Sequence, residues 1–267
     1  MKNILIIYHS GSGGTKKISE FIKEKLYNFF NVDISEVKSD FNYCSLSNYD
    51  LLIFGFPTYF CKPPRSVIEF IDNMPKLKKS QRAFVFNTCG FLSVNTLRIF
   101  MRMVLNKNIY PLGSMTIKAP VSDHIMLPFV LDYFFQYENN LLKKIDKFIF
   151  EIKQSFDTDK IKTNIPNYKI YTPLVNLIMF GGKIIFNLFK KNIKILKTRC
   201  TNCNQCVENC DRNCWESQSD FPKFNSKNCE LCLKCIHNCP QKAIIFSRFM
   251  QNKKRFNKKF WDEIKLN

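Results

Sequence analysis

Two copies of one cysteine phrase dominate this 267-residue chain. The first, C-T-N-C-N-Q-C-V-E-N-C, carries Cys200, Cys203, Cys206 and Cys210. The second, C-E-L-C-L-K-C-I-H-N-C-P, carries Cys229, Cys232, Cys235 and Cys239, followed by Pro240. Eight of the 12 cysteines are accounted for at a constant offset of 29 residues, which marks an internal duplication. The spacing C-x2-C-x2-C-x3-C brings three thiolates to three irons of one cubane and turns the fourth toward a second cluster. Zinc is the competing reading of a repeated C-x2-C. It needs only four ligands, and the third cysteine of each tight run makes a two-by-two zinc arrangement unnatural.

The phrase resembles that of bacterial two-cluster ferredoxins. The resemblance implies exchanged fourth cysteines: one [4Fe–4S] centre on Cys200, Cys203, Cys206 and Cys239, the other on Cys229, Cys232, Cys235 and Cys210. Asp211 stands where that family usually has proline. Proline would fix φ and remove a donor, so Asp211 is expected to alter the turn and the cluster environment while leaving the ligand set intact. At the 29-residue offset Cys214 aligns with Ala243 and Trp215 with Ile244, so Cys214 reads as a small packing residue. Cys44 and Cys61 read the same way.

The length suits two domains, or one domain with a small module. The 27 phenylalanines are ample for a core in the larger part, whereas the cysteine module would lean on its ligands for stability. The opening MKNILIIY is too short an apolar run for a secretory signal, and 12 cysteines point to reduced thiols, so a cytoplasmic setting is expected. The formal charge of +19 falls to roughly +13 once two clusters and a flavin phosphate are counted. Residues 160–199 hold nine Lys or Arg and no Asp or Glu. Without a base-reading motif this implies an acidic redox protein partner, not nucleic acid.

Residues 2–8 read as a buried strand, and Ile18, Phe21, Ile22, Leu26 and Phe29 then recur at helical spacing. The intervening Ser10-Gly11-Ser12-Gly13-Gly14-Thr15 is a phosphate site in outline, with amides and hydroxyls at a helix N-terminus. Further strands are expected at Val32–Val37, Asp50–Gly55, Arg82–Thr88 and Ser114–Ala119, with helices near 65–74, 94–106 and 131–152. Such alternation argues for a parallel sheet covered on both faces.

This half resembles a flavodoxin. Ser10–Thr15 is similar to the family's S/T-x-T-G-x-T loop, with Ser12 for threonine. Gly55-Phe56-Pro57-Thr58-Tyr59 is similar to its G-x-P-x-Y turn, and Asn87-Thr88-Cys89-Gly90-Phe91 to its second flavin loop. The resemblance implies a doubly wound five-stranded sheet of order 2-1-3-4-5, with FMN outside the carboxyl ends of the strands. It places Ser10, Gly11, Ser12, Gly13, Gly14 and Thr15 at the phosphate, and Pro57, Thr58, Tyr59, Phe60, Thr88, Cys89, Gly90 and Phe91 around the ring. For Tyr59 and Phe60, covering the core is the alternative to stacking. His124 is read as structural.

The expected organisation is a flavodoxin-like FMN domain over 1–153 and a linker with an apolar helix over 154–196. A ferredoxin-like α+β module over 197–247 and a basic tail over 248–267 follow. The linker helix carries Leu174, Leu177, Ile178, Gly181, Ile185, Leu188 and Phe189 on one face, interrupted by Gly181-Gly182-Lys183. Packing between the domains is expected of it, with membrane-surface contact the lesser alternative. The whole resembles flavodoxin–ferredoxin fusion proteins of anaerobic bacteria and archaea, which implies electron transfer between two [4Fe–4S] clusters and FMN. A small-molecule reductase fed by its own clusters, and an iron–sulfur redox sensor or scaffold, are the alternatives.

Overall fold

The computed structural model describes residues 1–127, 131–158 and 161–266; the side chains of Asn176, Ile178, Met179, Phe180 and Lys183 also lie outside the description. The expected place of Ile178 on the apolar helix face therefore falls outside the described residues.

Five parallel strands form the main sheet: β1 (Asn3–Tyr8), β2 (Asn31–Glu36), β3 (Leu51–Pro57), β4 (Gln81–Cys89) and β5 (Ile109–Lys118). Their order is β2-β1-β3-β4-β5, as expected. The three central strands are almost continuously buried, whereas β5 at the edge alternates between buried and half-buried residues. That is how strands covered on both faces differ from one that is not.

The fifth strand begins five residues earlier than expected. Pro111 and Gly113 read as breakers, yet proline is tolerated on an edge strand, where its missing N–H is not needed. The register shifts here: Ala83 faces Pro111 and Phe84 faces Gly113, leaving Leu112 as the extra residue of a bulge.

One face of the sheet is covered by α1 (Gly14–Tyr27) and α4 (Leu141–Gln154), the other by α2 (Arg65–Asn73) and α3 (Thr96–Asn106). The helix expected over 131–152 is shorter, because Asp132–Phe135 forms a 3-10 turn and α4 starts at Leu141. The C-terminal tail is part of the first face: Phe256, with Phe260 and Trp261 of α8 (Lys258–Glu263), lies in the α1/α4 core. Lys254, Lys258, Lys259 and Lys265 are its solvated side, whereas Arg255 is buried.

The linker helix α5 (Thr172–Lys191) packs between the two units along one side only: Thr172 Oγ1 accepts from Asn95, and Phe186 meets the Phe60 ring. Phe186 and Phe189 lie against the cysteine module, but Leu174, Leu177, Ile185 and Leu188 are exposed, Leu177 to 70%. No described helix is long and apolar enough to cross a membrane.

The cysteine module repeats itself in space. Short strands β6 (Lys194–Ile195) and β8 (Lys223–Phe224), helices α6 (Gln205–Glu208) and α7 (Lys234–Asn238), and strands β7 (Trp215–Glu216) and β9 (Ile244–Ile245) are matched pairs at the 29-residue offset. The strands pair across copies, β6 with β9 and β7 with β8, both antiparallel. Left-handed residues repeat likewise: Asn202 and Leu231 at φ 52° and 57°, Asn204 and Leu233 at 56° and 61°, Asn213 and Lys242 at 49° and 50°.

Candidate functional site: a cavity at the strand ends walled by the cysteine module

The carboxyl ends of β1, β3, β4 and β5 open into one cavity of about 340 Å³. Of the residues expected at the phosphate, Ser10, Gly11, Ser12, Gly14 and Thr15 line it; of those expected at the ring, all eight do. Gly13 caps α1 in the left-handed region, φ 112°, a conformation that favours glycine. A side chain at Gly11 would collide with the Tyr59 hydroxyl and the Cys232 carbonyl, so the loop tolerates only glycine there. Hydroxyls tie the loops together. Thr15 Oγ1 lies 2.8 Å from Thr88 Oγ1, and buried Asn87 donates to Thr58 Oγ1 at 2.6 Å and Ser93 Oγ at 2.8 Å.

Phe60 and Cys61 form the two-residue turn of a Tyr59–Lys62 hairpin, at φ 50° and 59°. Two non-glycine residues in the left-handed region hold strain of the kind that clusters at binding sites. The turn is held from outside by the edge of Phe186 on the Phe60 ring, centroids 4.9 Å apart.

Sequence reasoning missed several wall residues: Ala119, Pro120, Val121, Ser122, Asp123 and Met126 after β5, Phe186 from α5, and Leu231 and Leu233 from the second cysteine copy. Only the position after a fifth strand could have signalled the first group. Burial drives the Tyr59 hydroxyl well above its ordinary pKa and pushes the Cys89 thiol up to about 11, so both keep their protons. His124 is structural as expected, fully buried with Nδ1 2.7 Å from the Val121 carbonyl and Nε2 3.0 Å from that of Lys254.

The eight repeated cysteines fall around two further cavities. Cys200, Cys203, Cys206 and Cys239 line the outer one; Cys210, Cys229, Cys232 and Cys235 line the inner one, with Cys214. Backbone amides donate to sulfur at matched positions, Cys214 to Cys210 Sγ at 3.3 Å and Ala243 to Cys239 Sγ at 3.2 Å. Among the described residues no three His, Cys, Asp or Glu side chains converge as a single metal ion requires. A lone zinc draws its sulfurs to about 2.3 Å. Buried Trp215 Nε1 has no nitrogen or oxygen partner and faces the Cys235 sulfur, a donor suited to an acceptor in the inner cavity. Cys214, expected to be inert packing, is buried, and its thiol donates to the Arg212 carbonyl at 3.5 Å.

The module is pinned to the sheet by buried polar contacts. Glu230 accepts from Ser66 N and Oγ at the start of α2, at 3.1 and 3.0 Å, and lies 3.4 Å from His9 Nε2. These partners hold its carboxyl below the usual range. His237 Nε2 donates to the Ser122 carbonyl at 2.9 Å, while its Nδ1 accepts from Phe256 N at 3.0 Å. Asp211, the departure from proline, pairs with Lys234, which also reaches Glu36 at the end of β2. Trp261 donates to the Ser12 carbonyl, so the tail grips the phosphate-type loop.

Residues 5–100 match the family model described as a flavodoxin domain. The N-terminal unit is a flavodoxin-like domain. An uncharacterized protein of Methanocaldococcus jannaschii is 37% identical over 89 residues, 33% of this chain and 54% of that protein. The chain thus spans about half the length of the curated relative it matches. Among solved structures, a flavodoxin of Streptococcus pneumonia TIGR4 covers 57% of this chain and 99% of its own at 14% identity and TM-score 0.44. Flavodoxin 2 of Bacillus cereus covers 58% and 99% at 21% identity and TM-score 0.44. A flavoprotein of Lactobacillus acidophilus, solved in complex with FMN, covers 43% and 93% at 21% identity and TM-score 0.35.

Proposed function

We propose that this protein carries electrons between two [4Fe–4S] clusters and FMN within one chain. One observation carries the reading: the 231–233 loop walls the strand-end cavity, while Cys232 within it lines the inner cysteine cavity. Cubane clusters pass one electron at a time and flavin holds one or two, so the pair couples one-electron to two-electron chemistry.

The flavin site is supported by its donor set. Loop hydroxyls and the first amides of α1 would take the phosphate, and Tyr59, Phe60 and Phe91 would border the ring. The cluster sites are supported by the crosswise grouping of the cysteines and the amide donors to their sulfurs. Electrons entering at the outer set would reach the flavin cavity by way of the 229–235 loop. The basic surface would present this route to an acidic redox partner.

Anaerobic purification followed by iron, sulfide and flavin analysis tests the reading. About eight iron, eight sulfide and one FMN per chain are expected. Four or fewer iron, or zinc in their place, would overturn it.

A further inference from the structure

Asp123 is the one ionisable carboxyl, and the one charge-bearing side chain, among the residues described as lining the strand-end cavity. It sits in the 3-10 turn Ser122–Met126 that follows β5 and is partly exposed. We propose that Asp123 is the proton donor of this site, supplying the proton that accompanies electron delivery to the bound flavin. The inference deepens the function proposed above and rests on it.

The geometry isolates the carboxyl. Its turn is fixed from three sides: His237 of α7 donates to the Ser122 carbonyl, Lys253 of the tail donates to the His124 and Leu127 carbonyls, and His124 directs both ring nitrogens at the Val121 and Lys254 carbonyls. The titratable groups sharing the wall are Tyr59 and Cys61 from the loop after β3 and Cys89 from β4, with Cys232 of the inner cysteine set within the 231–233 loop. All are neutral or negative. Lys253 and His237 are occupied with carbonyls, and none of the ion pairs formed among the described residues includes Asp123. Burial raises its carboxyl above the ordinary range, with only its own amide opposing.

An ionised carboxylate would repel both a phosphate and the negative charge that reduction adds to the ring. A protonated one can hydrogen-bond and then give up its proton. In balance, a one-electron donor delivers two electrons in succession and no protons. Of the two electrons and one proton that a bound flavin would take up, Asp123 would supply the proton to a ring nitrogen as its O–H bond breaks, and the carboxylate would be reprotonated by hydronium from solvent entering past Phe91 and Leu92, exposed to 47% and 54%.

The test uses the full chain, purified without oxygen, as wild type, Asp123→Asn and Asp123→Glu, with dithionite as electron donor. Infrared difference spectroscopy followed over pH should show a protonated-carboxyl band in wild type that Asp123→Asn lacks. Flavin reduction followed by stopped flow should slow by about 10²-fold in Asp123→Asn. It should lose its pH dependence there and recover in Asp123→Glu, with flavin affinity and iron content unchanged. A flavin-loaded chain with no such band, or with the wild-type pH profile in Asp123→Asn, overturns this inference alone. A chain that takes up no flavin overturns the proposed function and this inference together.

Discussion

The two cysteine copies share a backbone and differ in their surroundings. Each has the same left-handed residues, the same short helix and the same strand at the 29-residue offset. In the first copy the left-handed positions are Asn202 and Asn204, residues that adopt this conformation readily; in the second they are Leu231 and Leu233. Leucine in that region carries strain, here accepted where the loop meets the strand-end cavity. Cys203 of the first copy is exposed, whereas Cys232, in the middle of the 231–233 loop, packs against Gly11. Duplication supplies two equivalent sites, and docking makes one inner and the other outer.

The sharpest way to break this comparison is to remove one ligand from each set. Cys232→Ala should lose the inner cluster and slow flavin reduction by a ferredoxin-type donor by roughly 10²–10⁴-fold, the advantage of intramolecular delivery. An unchanged rate, measured by stopped flow, would end the proposed route. Cys203→Ala should instead spare the inner cluster and flavin reduction by dithionite, with iron analysis as the readout.

A smaller effect is expected at the pin that makes the second copy inner. Glu230→Ala leaves His9 without its buried partner and Ser66 without its acceptor. Losing buried hydrogen bonds to a charged acceptor costs about 1.5–3 kcal/mol. Thermal unfolding should show the module melting before the sheet, where wild type melts as one unit. Trp261→Phe keeps the tail's aromatic packing but removes the donor to Ser12, for about 1 kcal/mol and a weaker flavin affinity by titration.

The smallest change sharpens the asymmetry itself. Leu231→Asn should relieve about 1 kcal/mol of backbone strain yet slow cluster-to-flavin transfer, because it wets the shared wall. Chemical denaturation and transfer kinetics should therefore move in opposite directions. A matching shift from Asn202→Leu in the outer copy would show that the position relative to the cavity is irrelevant.

Much of this was legible in the sequence. The central strands announce themselves because burial on both faces demands uninterrupted apolar runs, as in Ile4–Ile7 and Leu51–Phe54. The three loops after β1, β3 and β4 are local glycine and hydroxyl patterns, and they meet at one cavity. The start of β5 was hidden by Pro111, since an edge strand forgives what a central one would not. Asp123 was illegible because a lone carboxylate acquires meaning only from the groups around it. The tail reads as a basic run of alternating aromatics and lysines that closes in a helix; that its Phe256, Phe260 and Trp261 complete the core of the sheet shows only in the fold.

The sequence by itself determined the alternation of strand and helix, the glycine loops and the doubled cysteine phrase, because each is written in residues a few positions apart. Only the tertiary structure decided that the 231–233 loop walls the strand-end cavity, that the tail grips Ser12 and that α5 leaves Leu177 in solvent. Those outcomes depend on contacts between residues more than 50 positions apart, where chain spacing carries no information and packing and buried charge choose among the arrangements.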